Sequence, residues 1–400
     1  MKKIAFPVIF LVSLFVFLSC KNNQSAELSP LGWGKKMADS DMKRNPDASK
    51  LDFSPIPRWS YTQGLVCLAD QRLAEVTGDQ KYYQYGQDYA NKMINDSGVI
   101  ATYAMNKYNL DLVNSGKILF DIYKKTGDEK YKKAIYTLRE QLNSQPRTSA
   151  GGFWHKRIYT NQMWLDGVYM ADPFYAQFGE VFDEPAAFDD VVNQLMVIQK
   201  HTHDSITGLN FHGWDESREQ QWADSLTGHS PHVWGRAQGW YLMALVDILD
   251  FLPQDYSKRS DVTGILNTVA KAVVAAQDRA SGVWYQVLDQ SGREGNYLEA
   301  TGSSMFVYAI LKGVRMGYLD QSFLAPARKG FAGILKNFIR KNDDGTISLT
   351  SCCAVAGLGG NPYRDGSYEY YISTEVRDND PKGVGPFIMA CIEMSKTEGK

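Results

Sequence analysis

A short motif occurs twice in the first third of this 400-residue chain, and its spacing limits the folds that the chain can adopt. The sequence TGDQKY at residues 77–82 returns as TGDEKY at residues 126–131, 49 residues later. In each copy a Gly ends one helical pattern and an Asp opens the next, as expected for a C-cap and an N-cap. A period near 50 residues, made of two helices and a loop, is typical of a stacked or circular array of helical hairpins.

Apolar residues spaced three and four apart predict twelve helices. Their ranges are 30–44, 59–77, 81–95, 108–126, 129–143, 162–179, 186–201, 234–252, 262–279, 296–317, 322–340 and 382–396. Twelve helices in six hairpins predict an all-α fold, an (α/α)6 barrel or six-hairpin toroid with an inner and an outer ring. Short β-prone runs such as 283–285 predict small strands in the loops. The long stretches 145–161, 202–233 and 341–381 are expected to gather at one mouth.

The first residues form a processing segment. Lys2 and Lys3 precede an apolar run that ends in Leu18-Ser19-Cys20, and a polar stretch follows. The run is too short for a membrane helix, and a Cys after Leu-Ser resembles a bacterial lipobox. We therefore predict a lipoprotein signal peptide over 1–19, lipidation of Cys20, a tether over 20–29 and one barrel domain over 30–400. Ordinary cleavage near Ala26 is the alternative.

This leader predicts a location in the bacterial cell envelope, periplasmic or on the cell surface, with membrane contact only through the lipid anchor. The charge composition argues against nucleic acid as a partner. With 43 Lys+Arg against 45 Asp+Glu and no basic stripe, the chain lacks the charge pattern of a nucleic-acid-binding protein. The four remaining cysteines, Cys67, Cys352, Cys353 and Cys391, form no disulfide scaffold or zinc motif.

Aromatic residues are abundant, with nine Trp and 23 Tyr. They fit either a sugar-binding site or a large core. The densest cluster surrounds Asp166, which lies beside Trp164 and ahead of Gly167, four residues after Gln162. We expect Gln162 and Asp166 to share one helical face. A carboxyl group among indoles is desolvated, which predicts a raised pKa suited to a general acid. A helix-capping role for Asp166 is the alternative.

A second cluster opens the helix near residue 234. Arg236 and Trp240 are four residues apart on one face, with Gly235 and Gly239 between or beside them. A guanidinium group pairs with a carboxylate and an indole covers a sugar ring, so this pattern suits an anionic sugar. A surface Arg near a buried Trp explains it as well.

Asp111 begins another predicted helix and offers a second carboxylate, either to raise the pKa of Asp166 or to bind sugar hydroxyls. Helix capping is the alternative. His155 and His212 each neighbour a Trp in long loops and could donate to a substrate. The spacing of His201, His203 and His212 fits no usual zinc site, so we predict no metal.

These motifs, QMWLDG…YMADPF from residue 162 and WGR…GW from residue 234, resemble glycoside hydrolase family 105, the unsaturated rhamnogalacturonyl hydrolases. The tail, with Tyr370-Tyr371 and the sequence DPKGVGPF over 380–387, is also similar to that family. The likeness covers residues 30–396. It implies an (α/α)6 barrel, no cofactor, and a role in pectin degradation downstream of a polysaccharide lyase.

The resemblance also implies the chemistry. Such enzymes hydrate the C4=C5 double bond of a terminal unsaturated uronic acid on an oligosaccharide substrate. Asp166 would protonate C4 and then, as a carboxylate, help water add at C5, with Asp111 as the second catalytic residue. The hemiketal that forms opens and releases the remaining saccharide. The implied substrate-binding residues are Tyr61, His155, Trp164, His212, Arg236 and Trp240.

One departure affects the substrate. Family members often carry Gly-Asn where this chain has Ala237-Gln238, so the sugar beyond the uronate stays open. The rival functions are an unsaturated glucuronyl hydrolase acting on glycosaminoglycan fragments, an α/α-barrel sugar epimerase or isomerase, and a non-catalytic glycan-binding lipoprotein. An epimerase would need paired histidines, and a binding protein leaves Asp166 without a purpose.

Overall fold

The computed structural model describes residues 1–4 and 28–397, and this part of the chain contains thirteen α-helices. Twelve have ten or more residues, which agrees with the number predicted from the sequence. They are α1 Pro30–Arg44, α2 Tyr61–Thr77, α3 Gln80–Met93, α4 Lys117–Thr126, α5 Glu129–Ser144, α6 Leu165–Val181, α7 Ala186–Thr202, α8 Gly235–Ile248, α9 Arg259–Ala275, α10 Ala300–Arg315, α11 Leu324–Phe338 and α13 Pro381–Thr397. The short α12 spans Tyr368–Ser373.

The long helices form two concentric rings. Helices α2, α4, α6, α8, α10 and α13 contact one another in sequence, and α13 closes the ring by packing between α10 and α2. Each inner helix carries an outer partner, from α3 on α2 to α1 on α13. Every residue of α8 is buried, including the polar Arg236, Gln238 and Asp247, as expected for a helix enclosed within the inner ring. The (α/α)6 barrel predicted from the repeat is confirmed.

The repeated motif forms the junctions between paired helices. Gly78 and Gly127 adopt left-handed conformations with φ of 73° and 67° and end α2 and α4. The next residues, Asp79 and Asp128, accept the backbone N–H groups of Lys81 and Lys130 at 3.2 and 3.0 Å. A Cβ atom at the glycine would strain this backbone, and the carboxylate satisfies a helix-end donor, so the motif sets the turn.

Six short strands connect the helices. They pair antiparallel as β1 Gln162–Trp164 with β2 Gly213–Asp215, β3 Ile339–Lys341 with β4 Ile347–Leu349, and β5 Cys352–Cys353 with β6 Val376–Arg377. Strand β1 corrects a prediction, because Gln162 lies in a strand and does not share a helical face with Asp166. Pairing with a segment 50 residues away decides the conformation of these three residues.

The predicted helix 108–126 is also corrected, since α4 begins only at Lys117. Two single 3₁₀ turns, Leu110–Leu112 and Asn114–Gly116, precede it. The Asn109 side chain accepts the N–H of Asp111 at 3.0 Å and opens the first of these turns. Asp111 therefore lies in a tight loop, in which the Asn109 side chain accepts its backbone N–H. The carboxylate of Asp111 stays available for other partners.

The inner helices begin at one mouth of the barrel, where the long connections meet them. The N-cap Glu299 of α10 accepts the N–H of Cys353 in β5 at 2.9 Å, and Arg377 in β6 pairs with Asp380 ahead of α13 at 2.6 Å. Helix N-termini carry partial positive charge, so this mouth favours a negatively charged ligand. No helix in the described residues is both long and apolar enough to cross a membrane.

Candidate active site

Asp166 is the second residue of α6 and lies at this mouth, with 14% of its side chain exposed. Its Oδ2 atom is 3.2 Å from Nε2 of the completely buried His212. In the described residues this contact falls short of a full hydrogen bond, and neither atom has another hydrogen-bond partner there. Contacts of this kind often tighten when a substrate binds. Asp166 is therefore a carboxyl group at this mouth whose buried Oδ2 atom faces His212 without a full hydrogen bond.

The electrostatic environment of Asp166 differs from the prediction. Burial favours the neutral acid, but the His212 ring, together with His155 and Arg236, outweighs burial and holds the pKa of Asp166 below its ordinary value. The predicted rise in pKa is therefore wrong for the unliganded protein. Burial supplies the expected desolvation, and His212, His155 and Arg236, which come from other segments, reverse its effect on the pKa.

Asp111 lies within reach of two basic side chains. Lys156 Nζ is 2.5 Å from its Oδ2, and His155 Nε2 is 3.4 Å from its Oδ1. Burial lowers the pKa of His155 to about 4 although Asp111 and Asp166 both act to raise it, so the imidazole is neutral near pH 7. The Lys156 ammonium group balances the charge of the Asp111 carboxylate.

Aromatic rings support this cluster from behind. His155 and Tyr159 stack on Trp164 with centroid distances of 4.7 and 4.5 Å. The ring planes of His155 and Tyr159 are nearly parallel to each other, with an angle of 9° between them. These distances place both rings side by side on one face of the indole. Trp164 is 5% exposed, so it acts first as the support that fixes His155. Its expected contact with substrate stays a prediction.

Arg236, at the start of α8, is 1% exposed and tied to the loop after β5. Its guanidinium donates to the carbonyls of Cys353 and Ala354 and lies 4.6 Å from the ring centre of Trp234. Nε has no partner among the described residues. The group remains cationic, because nearby Cys353 and Asp380 outweigh burial and raise its pKa. Positive charge is thus fixed beside Asp166.

Trp240 and Tyr61 complete the set of predicted residues. Trp240 is 1% exposed, stacks on Tyr169 at 4.8 Å and meets Tyr61 edge-on at 6.2 Å. Burial raises the pKa of the half-buried Tyr61 well above its ordinary value, and Arg236 and Asp111 act on its hydroxyl in opposite directions. All eight predicted site residues within the described range therefore meet at one mouth. Cys20 lies outside the described residues.

Sequence reasoning missed several residues of this mouth, including Tyr159, Lys156 and Tyr371. Tyr371 OH is 2.7 Å from Nδ1 of His212, on the opposite side of the ring from Asp166. Lys156 follows His155 directly, so adjacency could have pointed to it. Nothing local connects Tyr371 with His212, since 159 residues separate them.

Known proteins resemble this chain over nearly its whole length. The family model described as Glycosyl Hydrolase Family 88 matches residues 33–398. A solved structure of a family 105 glycoside hydrolase from C. acetobutylicum ATCC 824 is 45% identical, covers 91% of this chain and 99% of its own, and superposes with a TM-score of 0.87.

Two sequence relatives extend the comparison. Protein Atu3128 of Agrobacterium fabrum is 39% identical over 230 residues, which are 56% of this chain and 97% of that protein. The unsaturated rhamnogalacturonyl hydrolase YesR of Bacillus subtilis is 23% identical over 326 residues, which are 80% of this chain and 86% of YesR.

A six-hairpin barrel of this kind, with a carboxyl group in an aromatic mouth and these relatives, is a glycoside hydrolase. The chain belongs to the family described as Glycosyl Hydrolase Family 88, and its 45% identity with the solved family 105 structure also places it in glycoside hydrolase family 105. The resemblance found in the sequence and the enzyme class are confirmed. At the level of the family, removal of an unsaturated uronic acid from oligosaccharides is confirmed as well.

Proposed function

We propose that this enzyme removes the terminal 4,5-unsaturated uronic acid from oligosaccharides that a polysaccharide lyase releases from rhamnogalacturonan. The observation that carries the proposal is Asp166, a half-buried carboxyl group at the mouth where the inner helices begin, whose Oδ2 atom faces His212 without a full hydrogen bond. The name of YesR, which aligns with 80% of the chain, supports the rhamnogalacturonyl substrate. Helix N-termini and Arg236 suit the uronate charge.

The reaction begins with a proton. Neutral Asp166 protonates C4 of the enol ether, and the positive charge that develops at C5 is shared with the ring oxygen. Water adds to C5 while the Asp166 carboxylate takes its proton, so the residue returns to the acid form. The product is a hemiketal at C5. Its ring opens and leaves C1 as a hemiacetal, which expels the remaining saccharide and becomes an aldehyde.

The low pKa of unliganded Asp166 is compatible with this role because the substrate changes the local charge. A uronate carboxylate bound at this mouth adds negative charge close to Asp166, and a like charge favours the protonated acid. Arg236 keeps unused N–H groups beside its two bonds to carbonyls, and these are available to the uronate. Asp111, held by Lys156, binds hydroxyls of the sugar or orients the water.

Turnover of defined digests tests the function. The purified enzyme is incubated with lyase-digested rhamnogalacturonan and, separately, with lyase-digested chondroitin, and the ultraviolet absorbance of the C4=C5 bond is followed. Loss of absorbance with release of a shortened saccharide is expected for the first digest. Turnover of the chondroitin digest alone would move the assignment to the glucuronyl type. No turnover of either digest would refute the proposed activity.

We also propose that lipidated Cys20 anchors the enzyme to the bacterial cell envelope, at the periplasmic or outer face. The support is the lipobox-like sequence Leu18-Ser19-Cys20 after a basic start and an apolar run. These residues lie outside the described part of the chain. An anchored enzyme of this kind would act where lyase products arise or enter the cell.

A further inference from the structure

Tyr371 has no role in the reaction described so far, although its hydroxyl touches the residue that faces Asp166. It lies in α12, is completely buried, and its phenol oxygen is 2.7 Å from Nδ1 of His212. His212 Nε2, on the other side of the ring, is 3.2 Å from Asp166 Oδ2. The three side chains therefore form a line from the barrel core to the proposed acid.

We propose that Tyr371 is a positioning residue, whose phenol holds neutral His212 in the tautomer that presents Nε2–H to Asp166. The proposal rests on the proposed function, because Asp166 is the group that this tautomer adjusts. A neutral imidazole carries one proton, on either Nδ1 or Nε2. A phenol O–H that donates to Nδ1 requires that nitrogen to be unprotonated, so the proton must be on Nε2.

The surroundings of Tyr371 favour donation over acceptance. In the described residues the Tyr371 hydroxyl has His212 as its hydrogen-bond partner. The Gln286 side chain donates to the backbone carbonyl of Tyr371 at 3.2 Å and fixes the backbone there. If the phenol accepted from Nδ1–H, its own proton would be buried without a partner, which is costly. Burial, with Tyr370 and Asp166 nearby, also raises the pKa of Tyr371 well above its ordinary value, so the phenol keeps its proton.

The same contact disfavours the imidazolium form of His212. A protonated ring carries N–H on both nitrogens, and Nδ1–H would again leave the buried phenol proton without an acceptor. In this arrangement His212 acts as a neutral hydrogen-bond donor, and the proton for C4 comes from Asp166. The Nε2–H group favours the carboxylate form of Asp166 and so keeps its pKa low, which suits the second half-reaction.

Removal of the phenol oxygen has a defined consequence for pH dependence. In Tyr371→Phe both neutral tautomers of His212 become accessible. The Nε2–H group then no longer always faces Asp166, and the pKa of Asp166 rises. Activity needs protonated Asp166, and the alkaline limb of the rate profile is expected to move to higher pH by about one unit. The other titratable and charged groups facing this line are unchanged; they are His155, Arg236, Asp289, Asp365 and Tyr370.

The matched control is Tyr370→Phe in the same helix. This variant loses one hydrogen bond, which the Tyr370 hydroxyl accepts from the N–H of Gly357 at 3.0 Å. The pH profile of the variant is expected to follow that of the wild type. Tyr371→Phe is also made in a His212→Ala background. If Tyr371 acts through His212, the shift disappears there. A Tyr371→Phe profile that superimposes on wild type, moves to lower pH, or shifts equally without His212 would overturn the proposal.

A readout without substrate separates this proposal from the proposed function. Nitrogen-15 chemical shifts of the six histidines, assigned with His212→Ala, report the tautomer directly. Wild-type His212 is expected as the neutral Nε2–H form near pH 7, and Tyr371→Phe is expected to show a mixture. An Nδ1–H or imidazolium form in the wild type would overturn the positioning role, whatever the enzyme hydrolyses.

Discussion

The substitution Asp166→Asn addresses the centre of the proposed mechanism. Asparagine keeps the volume of the side chain and can still contact His212, so the fold is expected to persist. It removes the proton donor and the base together. General acid–base catalysis contributes roughly 10²–10⁴-fold, or about 3–5 kcal/mol of barrier. Because Asp166 acts in both half-reactions, we expect the upper part of this range, a loss of about 10⁴-fold in kcat.

The assay is the loss of ultraviolet absorbance of the unsaturated uronate, with thermal unfolding to verify the fold. Asp172→Asn is the matched control on the same helix. Asp172 is 1% exposed, and burial raises its pKa well above the ordinary value, so the neutral amide replaces a carboxyl group whose neutral form burial already favours. Its activity is expected to stay within about twofold of wild type. An Asp166→Asn rate within tenfold of wild type would refute the assignment of the acid.

Three further predictions concern other parts of the molecule. Arg236→Ala leaves two buried carbonyls without a hydrogen-bond donor, so we expect a loss of about 2–5 kcal/mol of stability in urea unfolding. We also expect KM to be at least about tenfold higher, and an unchanged KM would place the uronate elsewhere. Burial raises the pKa of Asp41 to about 6, so ionisation of this carboxyl group costs folding free energy. The cost is absent below pH 3.8 and grows to about 3 kcal/mol by pH 6. Asp41→Asn should therefore be more stable than wild type at pH 7 but not at pH 3.5, and equal gains would contradict this. Radiolabelled palmitate should label wild type and not Cys20→Ala; retained label would exclude the lipobox.

The barrel could be predicted because its signals are local. Gly78 and Asp79, repeated at Gly127 and Asp128, specify the turn between two helices without help from the rest of the chain. Strand β1 could not be predicted in this way. Three residues with apolar spacing fit a helix or a strand, and only hydrogen bonds to the distant β2 select the strand.

The residues that meet at this mouth could be singled out from their motifs, but their electrostatics could not. Trp164 beside Asp166 suggested a desolvated acid, and that part of the reasoning holds. His212 and Arg236, which reverse the pKa shift, come from other segments and approach only in the folded barrel. A pKa depends on every charge within a few ångströms, so neighbours in sequence supply only part of it.

The closure of the ring by α13 sets the order in which activity can arise. Arg236 and His212 take their hydrogen-bond partners from residues 353–371, and α13 follows these partners in the sequence. A chain truncated before residue 353 would keep five inner helices, with a gap between α10 and α2 and no carbonyl partners for the Arg236 guanidinium. The site can therefore form only after this segment has been synthesised, and a variant that ends before residue 353 is expected to have no activity.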